Sequence, residues 1–232
     1  MLKTAVAIPA HNAEKTIGKV ISQAAEFVSS ENIFVVDDGS NDQTGTIALE
    51  KGARVLRHEV KMGKGAALHD ATKKILERNY ELIITMDSDL QHDPSEIPDF
   101  ISASDKFDIV IGKRVFSAGM MPLHRRLSNS ITSRLLSLRA GKKIEDSQCG
   151  YRLYHASVLR KIDSNCRHYE YESDILIKAA LTGFTIGFIP INTIYNDSKS
   201  GIKVVDVLRF IKVYVKSFMI KASIGLGLIA NG

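Results

Sequence analysis

Short apolar runs alternate with helix-like segments along the first half of the chain. The runs cover residues 4–8, 33–36, 53–56 and 82–86. Between them, apolar residues recur every three or four positions, which is the spacing of one buried helix face. Strands that alternate regularly with helices form a parallel sheet with helices on both faces. We therefore predict an α/β fold with a mostly parallel central sheet.

The remaining elements are less regular. Asn12 is the expected N-cap of the first helix. We predict strands at 108–111 and 184–189, a short strand after the loop at 147–150, and helices at 65–78, 122–138, 172–181 and 204 to about 222. With 232 residues and 44% apolar content, the chain can bury one substantial core. We expect one domain over residues 1–202, followed by a C-terminal basic amphipathic helix over 203–232.

The fourth apolar run ends abruptly at two carboxylates, Asp87 and Asp89, with Ser88 between them. Side chains alternate along an extended chain, so both carboxylates point to the same side if that geometry continues past Met86. Mg²⁺ and Mn²⁺ prefer oxygen ligands, and the carboxyl end of a parallel strand is a usual ligand position. The alternative is an acidic turn between the strand and the helix that starts near Pro94.

The net charge of +5 is divided unevenly along the chain. Residues 1–110 carry 12 Lys or Arg and 18 Asp or Glu, a net charge of −6, whereas residues 111–232 carry 19 and 8, a net charge of +11. The basic half is suited to phosphates or an anionic surface. The acidic half and the scarcity of aromatic residues among the basic ones argue against a nucleic-acid-binding module.

Two cysteines without a pairing pattern fit a reducing compartment, so we expect a cytoplasmic protein. No run of 18 uninterrupted apolar residues occurs, and we expect no membrane-spanning helix.

Two further polar segments follow the first strands. In VVDDGSNDQT, either Asp37 or Asp38 is a candidate acceptor for a nucleobase N–H or a ribose hydroxyl, and a helix-capping turn would have a similar composition. In KMGKGAAL, Gly63 and Gly65 expose amides and Lys61 or Lys64 adds charge, as in a phosphate-binding loop. The segment lacks the Walker A pattern, so a simple helix start is the alternative.

Taken in order, the motifs resemble those of the family 2 glycosyltransferases with the nucleotide-sugar-binding GT-A fold, and among them the polyprenyl-phosphate (dolichyl-phosphate) sugar synthases. The resemblance covers nearly the whole chain. Its motifs are IPAHNAEKTI, VVDDGSNDQT, KMGKGAAL, MDSDLQHDP, IGKR, DSQCGYRLY, YESDILIKAA, IPINTIY and SKSGIK.

The resemblance implies a divalent metal, Mg²⁺ or Mn²⁺, at a D-x-D motif. By that likeness Asp89 and Gln91 hold the metal beside the diphosphate, and Asp87 contacts the metal or the ribose. The neighbouring Ser88 and the loop residue Lys64 join the expected nucleotide-binding set.

In this family, the base and the ribose are bound by residues at positions that correspond to Pro9, His11 and Asp38. Many lipid-branch members read P-x-Y-N-E in the first of these motifs. Here His11 replaces the tyrosine and Ala13 replaces the glutamate, which leaves Glu14 as the nearby acid and the identity of the base open.

Basic residues of the second half match family positions that meet phosphate groups. These are Arg114, Arg125 or Arg126, and Lys199, with a solvated surface role as the alternative for each. Gln148–Arg152 match the acceptor-side loop, and Cys149 has no partner histidine that would make it a nucleophile. Glu172 and Asp174 match the position of a general base, which a phosphate acceptor scarcely needs because it is already ionised. Their alternative role is to place favourable acidic charge at a helix N-terminus.

The predicted C-terminal helix places Arg209, Lys212 and Lys216 at helical spacing among apolar residues. Such a helix can lie in a membrane interface, or it can pack on the domain or a second subunit. The basic helix at 122–138 favours the membrane interpretation, with the protein peripheral on the cytoplasmic face.

We therefore expect an inverting, metal-dependent transfer of a sugar from a nucleoside diphosphate sugar to polyprenyl or dolichyl phosphate. In this interpretation Asp89, Arg114 and Asp174 are the candidate catalytic residues. Two other functions remain open. One is a family 2 transferase with a hydroxyl acceptor on a glycan, which would use Asp174 or Glu172 as base, and the other is a sugar nucleotidylyltransferase.

Overall fold

One mixed sheet organises the part of the chain that the computed structural model describes, namely residues 2–115, 123–192 and 204–225. Its strands are β1 (Thr4–Ala10), β2 (Ile33–Asp38), β3 (Arg54–His58), β4 (Leu82–Thr85), β5 (Ile109–Arg114), β6 (Arg152–His155) and β7 (Ile186–Ile191). They lie in the order β3-β2-β1-β4-β6-β5-β7. All pairings are parallel except those of β6, which runs antiparallel to both β4 and β5.

Helices connect most of these strands. They are α1 (Ile17–Ala24), α2 (Thr44–Glu50), α3 (Lys64–Leu76), α4 (Ile97–Ala103), α5 (Leu123–Ala140), α6 (Ala156–Lys161), α7 (Glu170–Leu181) and α8 (Val204–Gly225). Short 3₁₀ turns stand at Ser30–Asn32 and Pro94–Glu96. The predicted alternation of strands and helices is confirmed, α4 follows the helix start expected near Pro94, and α6 is a helix that the sequence pattern did not indicate.

Alternate residues of the central strands face two separate apolar clusters. Val6 and Ile8 of β1 belong to the cluster that includes α1 and α7, whereas Ala5 and Ala7 face the cluster that α3 covers. This alternation is the signature of a sheet buried on both faces. The strands consequently read as continuous apolar runs, which is why they could be located from the sequence.

Asn12 is not the N-cap of the first helix, which begins five residues later at Ile17. Asn12 has a positive φ of 50°, and its side-chain oxygen accepts a hydrogen bond from the backbone amide of Asn41 at 3.0 Å. Its own amide donates to Ser40 Oγ at 2.9 Å. The side chain therefore ties two loops together, and this long-range use outweighs the local capping preference.

The two long helices of the basic half meet at Arg139, near the end of α5. Its guanidinium donates to Ser217 Oγ of α8 at 2.8 Å and also to the Ser217 carbonyl, and it lies 4.7 Å from the centre of the Phe218 ring. Phe210 and Val213 of α8 are buried against the core. Within the described ranges, no helix combines the length and apolar character required to cross a bilayer.

Candidate active site

The carboxyl ends of three neighbouring parallel strands bring three polar loops together. β1 lies between β2 and β4 in the sheet. The pairing of β4 with β1 extends to Thr85, two residues before Asp87. The loops that carry His11, Asp38 and Asp87 therefore leave the same edge of the sheet, which is where open α/β sheets bind ligands.

Hydrogen bonds cross-link the first two of these loops. Nδ1 of the His11 ring lies 2.8 Å from the main-chain oxygen of Asp38. The Glu14 carboxylate accepts a hydrogen bond from the backbone amide of Gln43 at 3.3 Å. Pro9, half-buried, is the last residue but one of β1. The structure thus gathers the predicted nucleotide-side residues Pro9, His11 and Glu14 at one edge of the sheet.

The two aspartates at the end of β2 are buried. Asp37 Oδ1 accepts from the Ser40 amide at 3.0 Å, whereas Asp37 Oδ2 lies 3.6 Å from Arg57 Nε and has no hydrogen-bond partner among the described residues. Asp38 is 3% exposed. Its Oδ1 accepts from Nδ1 of His58 at 2.8 Å and from the Met62 amide at 2.7 Å.

Gly63 binds a carboxylate of the protein itself. Its amide donates to the second oxygen of Asp38 at 2.8 Å, so the predicted presentation of this amide to a phosphate is wrong. Gly65 is required by close packing, because a Cβ there would lie 2.5 Å from the His168 carbonyl oxygen. Since both oxygens of Asp38 accept bonds from the chain, Asp38 anchors the segment that leads into α3. Its expected contact with a base or ribose stays a prediction.

Lys64, the first residue of α3, points into the acidic loop. Its Nζ lies 2.7 Å from Asp87 Oδ1 and 3.5 Å from Glu172 Oε2 of α7. The Gly150 backbone closes over this ion pair, because a Cβ on Gly150 would lie 2.7 Å from Nζ and 2.9 Å from Asp87 Oδ2. The predicted nucleotide-side residues Lys64 and Asp87 and the predicted acceptor-side loop therefore meet at one point.

The two carboxylates of the D-x-D motif have opposite pKa shifts. Burial acts to raise the pKa of Asp87, but the charge and hydrogen bond of Lys64, helped by the charge of Arg114, lower it to about 2. Burial raises the pKa of Asp89, and repulsion from Asp87 raises it further. Asp87 is therefore ionised and paired with Lys64, whereas burial and the charge of Asp87 disfavour the ionised form of Asp89.

His92 lies behind the motif as a neutral ring. Its Nδ1 accepts from the Asp87 amide at 3.1 Å, and the ring stacks on Tyr151 with 5.1 Å between ring centres. Burial lowers the pKa of His92 to about 4. The ring therefore positions Asp87 without adding positive charge to the site.

The donor set fits a divalent cation. Asp87 and Asp89 repel each other, so a cation between them would stabilise both. The backbone amide of Gln91 donates to Asp89 Oδ1 at 3.1 Å, and Ser88, which stands between the two aspartates in the sequence, is half-buried. In residues 2–115, 123–192 and 204–225, no three His, Cys, Asp or Glu side chains converge on one metal position. Mg²⁺ commonly takes only one or two protein carboxylates and completes its shell with water and substrate phosphates.

A cavity of about 540 Å³, with both basic and acidic residues in its lining, opens at the carboxyl ends of β5 and β7. Its lining includes three cationic residues, and the full set is Lys113, Arg114, Val115, Arg126, Glu145, Asp146, Phe188 and Pro190. Arg114 is held by a two-pronged contact with Asp146, with Nε donating at 2.8 Å and an Nη at 2.9 Å. Because Arg114 helps to lower the pKa of Asp87, this cavity lies within electrostatic reach of the D-x-D motif.

Arg152, on β6, organises the acceptor-side loop from inside the protein. It is fully buried, and its guanidinium donates to the carbonyl oxygens of Ser147, Cys149 and Glu172 at 2.7–3.0 Å. The Glu172 carboxylate lies 3.9 Å from Arg152 Nε. One side chain therefore fixes both the loop above Asp87 and the start of α7.

The structure separates Glu172 from Asp174. Asp174 Oδ2 pairs with Lys178 of the same helix at 2.7 Å, and none of its described contacts reaches the D-x-D motif. The carboxylate of α7 that does reach the motif, through Lys64, is Glu172. Asp174 is therefore less suited to a base role than the sequence suggested. Lys199 and the side chain of Arg125 lie outside the described residues.

Three supporting residues carried no sequence prediction as site residues. Asp146 opens the DSQCGYRLY motif and could have been noticed as the acid that an arginine near phosphates needs. His58 is the last residue of β3, as Asp38 is of β2, and Tyr169, whose ring centre is 5.9 Å from Lys64 Nζ, precedes α7. No local signal distinguishes either from an ordinary loop residue.

Comparison with known proteins agrees with this geometry. The model of glycosyl transferase family 2 matches residues 5–163. A UDP-N-acetylglucosamine–dolichyl-phosphate N-acetylglucosaminyltransferase of Methanococcus voltae is 31% identical, with coverage of 92% of this chain and 94% of the relative. An undecaprenyl-phosphate mannosyltransferase of Micrococcus luteus is 30% identical, with coverage of 79% and 80%.

Solved structures show the same fold. Glucosyl-3-phosphoglycerate synthase from Mycobacterium tuberculosis, in complex with Mg²⁺ and uridine diphosphate, has a TM-score of 0.74 and 19% identity. The match covers 95% of this chain and 79% of that one. The family model and the relatives along most of the chain lead to one conclusion: the protein belongs to glycosyl transferase family 2 and is a nucleotide-sugar-dependent glycosyltransferase of the GT-A fold.

Proposed function

We propose that the protein transfers a sugar from a nucleoside diphosphate sugar to polyprenyl or dolichyl phosphate, with a divalent cation and with inversion at the anomeric carbon. The observation that carries this proposal is that a pair of carboxylates lies near a cavity with three cationic and two acidic side chains in its lining. A carboxylate pair suited to a cation lies within electrostatic reach of a cavity lined by Lys113, Arg114 and Arg126. The names of the relatives, which act on lipid phosphates, support the same acceptor.

The cation, held by Asp87, Asp89 and Gln91, would neutralise the charge that grows on the leaving diphosphate. On the acceptor side, Arg114 and Arg126 would hold the lipid phosphate. Two guanidinium nitrogens of Arg114 donate to Asp146, which holds the group in one orientation, and the positive charge and N–H donors of arginine suit phosphate. These contacts would aim one phosphate oxygen at the anomeric carbon, on the side away from the diphosphate.

A phosphate acceptor also explains why the site needs no free base. Its attacking oxygen is already ionised at neutral pH, so no proton has to be removed. The two carboxylates of α7 that the sequence indicated as candidate bases are engaged with cations, Glu172 with Lys64 and Asp174 with Lys178. A hydroxyl acceptor would require one of them to be released.

The decisive experiment supplies a panel of nucleotide sugars, UDP- and GDP-linked, with polyprenyl phosphate and either Mn²⁺ or Mg²⁺. We expect one donor to give a lipid-linked sugar, and we expect EDTA to abolish its formation. The dephosphorylated polyprenol serves as the matched hydroxyl acceptor and should stay unlabelled. Labelling of polyprenol or of a soluble glycan, with none of the lipid phosphate, would contradict the proposed acceptor.

We also propose that the protein is peripheral on the cytoplasmic face of a membrane, where its lipid acceptor resides. Helix α5 buries Leu136 in the core but also carries apolar side chains on its exposed face. It buries Asn129 and Ser133 and exposes Leu127, Ile131 and Leu138, the last of these at 73%. On α8, exposed apolar residues lie beside exposed lysines, and this set is Leu208, Ile211, Lys212, Val215, Lys216, Phe218 and Met219. Apolar faces flanked by lysines suit an anionic lipid surface.

Vesicle sedimentation tests the membrane proposal. We expect the protein to pellet with phosphatidylglycerol-containing vesicles, and we expect the double change Ile131→Asn and Leu138→Asn to lower the partition coefficient about tenfold, since each removes a large apolar contact. Leu49→Asn on α2, at a residue that is 60% exposed, is the matched control and should have no effect. Equal sedimentation of wild type with neutral and anionic vesicles would contradict the role of the lysines.

A further inference from the structure

Lys64 is the positive charge nearest to Asp87 among the described contacts. Its Nζ is enclosed by three separate elements, with Asp87 after β4 at 2.7 Å, Glu172 of α7 at 3.5 Å and the Gly150 backbone above. The side chain is 18% exposed. Helix α3 is anchored immediately before Lys64, where Asp38 binds the amides of Met62 and Gly63. The backbone at Lys64 is therefore fixed, whereas rotation about the four bonds of its side chain can move the ammonium group to another position.

The ammonium group of Lys64 and a divalent cation would compete for the carboxylate of Asp87. Without metal, Lys64 compensates Asp87 through the contact of 2.7 Å, and Asp89 lies two residues further along the same loop. A cation bound by Asp87 and Asp89 would lie close to the ammonium and would repel it. A nucleoside diphosphate changes this balance, because its oxygens can accept from Lys64 and coordinate the metal at the same time.

We propose that Lys64 couples metal binding to donor binding. It holds Asp87 when the donor is absent, which weakens the binding of metal alone, and it passes to the donor's diphosphate when donor and metal bind together. This inference rests on the proposed metal and donor site. Lys64 is in this sense a positioning residue for Asp87, and it makes the metal and the nucleotide bind cooperatively. A purely structural ion pair would produce no such coupling.

The test measures Mn²⁺ binding, from the electron paramagnetic resonance signal of free Mn²⁺, with and without UDP or GDP. For Lys64→Gln we expect Mn²⁺ alone to bind about tenfold more tightly than to wild type, within the usual range of coupling effects. We expect the nucleotide to enhance Mn²⁺ binding strongly in wild type and about tenfold less in the variant. The affinity for nucleotide, measured at saturating Mn²⁺, should fall.

Two further variants separate this coupling from general charge and folding effects. Lys73→Gln removes the same charge from an exposed position of the same helix and should leave Mn²⁺ binding within about twofold of wild type. Lys64→Arg keeps the charge and should retain weak binding of metal alone. If Lys64→Gln does not fold, Lys64→Met keeps the aliphatic stem and replaces it in the test.

Unchanged or weaker binding of Mn²⁺ alone to a folded variant without the Lys64 charge would overturn the inference. Wild type that binds no Mn²⁺ even with nucleotide would overturn it as well. Neither result depends on sugar transfer, so a failure of the coupling can be distinguished from a failure of the proposed function. The latter is judged by lipid-linked product alone.

Discussion

Replacement of Asp89 by asparagine should lower kcat/KM for sugar transfer by about 10²- to 10³-fold, the usual loss when one group that stabilises developing charge is removed. The same change should not lower the melting temperature measured without metal. Burial and repulsion by Asp87 raise the pKa of Asp89, so its charge opposes folding until a cation binds. Asparagine removes that charge at nearly constant volume.

Metal-dependent stabilisation provides the second measurement on this variant. Mn²⁺ with a nucleoside diphosphate should raise the melting temperature of wild type and have little effect on Asp89→Asn, because a ligand stabilises only the folded state that binds it. Asp99→Asn, on the exposed face of α4, is the matched control and should behave as wild type in both assays. Nearly full activity in Asp89→Asn would remove this carboxylate from the catalytic site.

The parts of the fold that could be predicted from the sequence are those in which local pattern and burial agree. β1, β2 and β4 are buried on both faces, so each reads as an uninterrupted apolar run. A polar residue directly after such a run marks the carboxyl end of a strand, and this placed Asp38 and Asp87 at one edge. The ordered motifs also indicated the family correctly.

Long-range contacts explain what could not be predicted. The sequence predicts that the backbone amide of Gly63 is available for a phosphate, but this amide donates to Asp38, 25 residues earlier in the chain. His58 bridges the same aspartate, at 2.8 Å, and Asp70 of α3, at 3.0 Å, so two strands and a helix are joined through one ring. A local pattern cannot distinguish an amide that awaits a ligand from one that is already bonded to the protein.

The antiparallel strand β6 is the clearest example of this limit. It is four residues long and lies between β4 and β5, although it follows both in the sequence. Its position places the loop that ends at Gly150 over Asp87 and buries Arg152 beneath that loop. The motif was recognised as acceptor-side from family resemblance, but the buried guanidinium that holds it became apparent only from the structure.

Arg152→Met should destabilise the protein by about 3–5 kcal/mol, the usual cost of removing one partner from a buried charged contact. Three carbonyl oxygens lose their donor, and the Glu172 carboxylate loses a neighbouring cation; its buried Oε1 has no hydrogen-bond partner among the described residues. Urea unfolding of wild type and variant measures the difference in free energy. Arg160→Met, at an exposed residue of α6, should change it by less than about 0.5 kcal/mol.

Two companion variants show how much of the loss comes from charge and how much from hydrogen bonds. Arg152→Lys keeps the charge but cannot reach three carbonyl oxygens that diverge, so we expect it to lose about 1–3 kcal/mol through the donors that are missing. Adding Glu172→Gln to Arg152→Met should recover part of the loss, because the buried carboxylate no longer requires a cation. If Arg152→Met unfolds at the same urea concentration as wild type, the loop above Asp87 is held by other contacts and Arg152 does not organise the acceptor side.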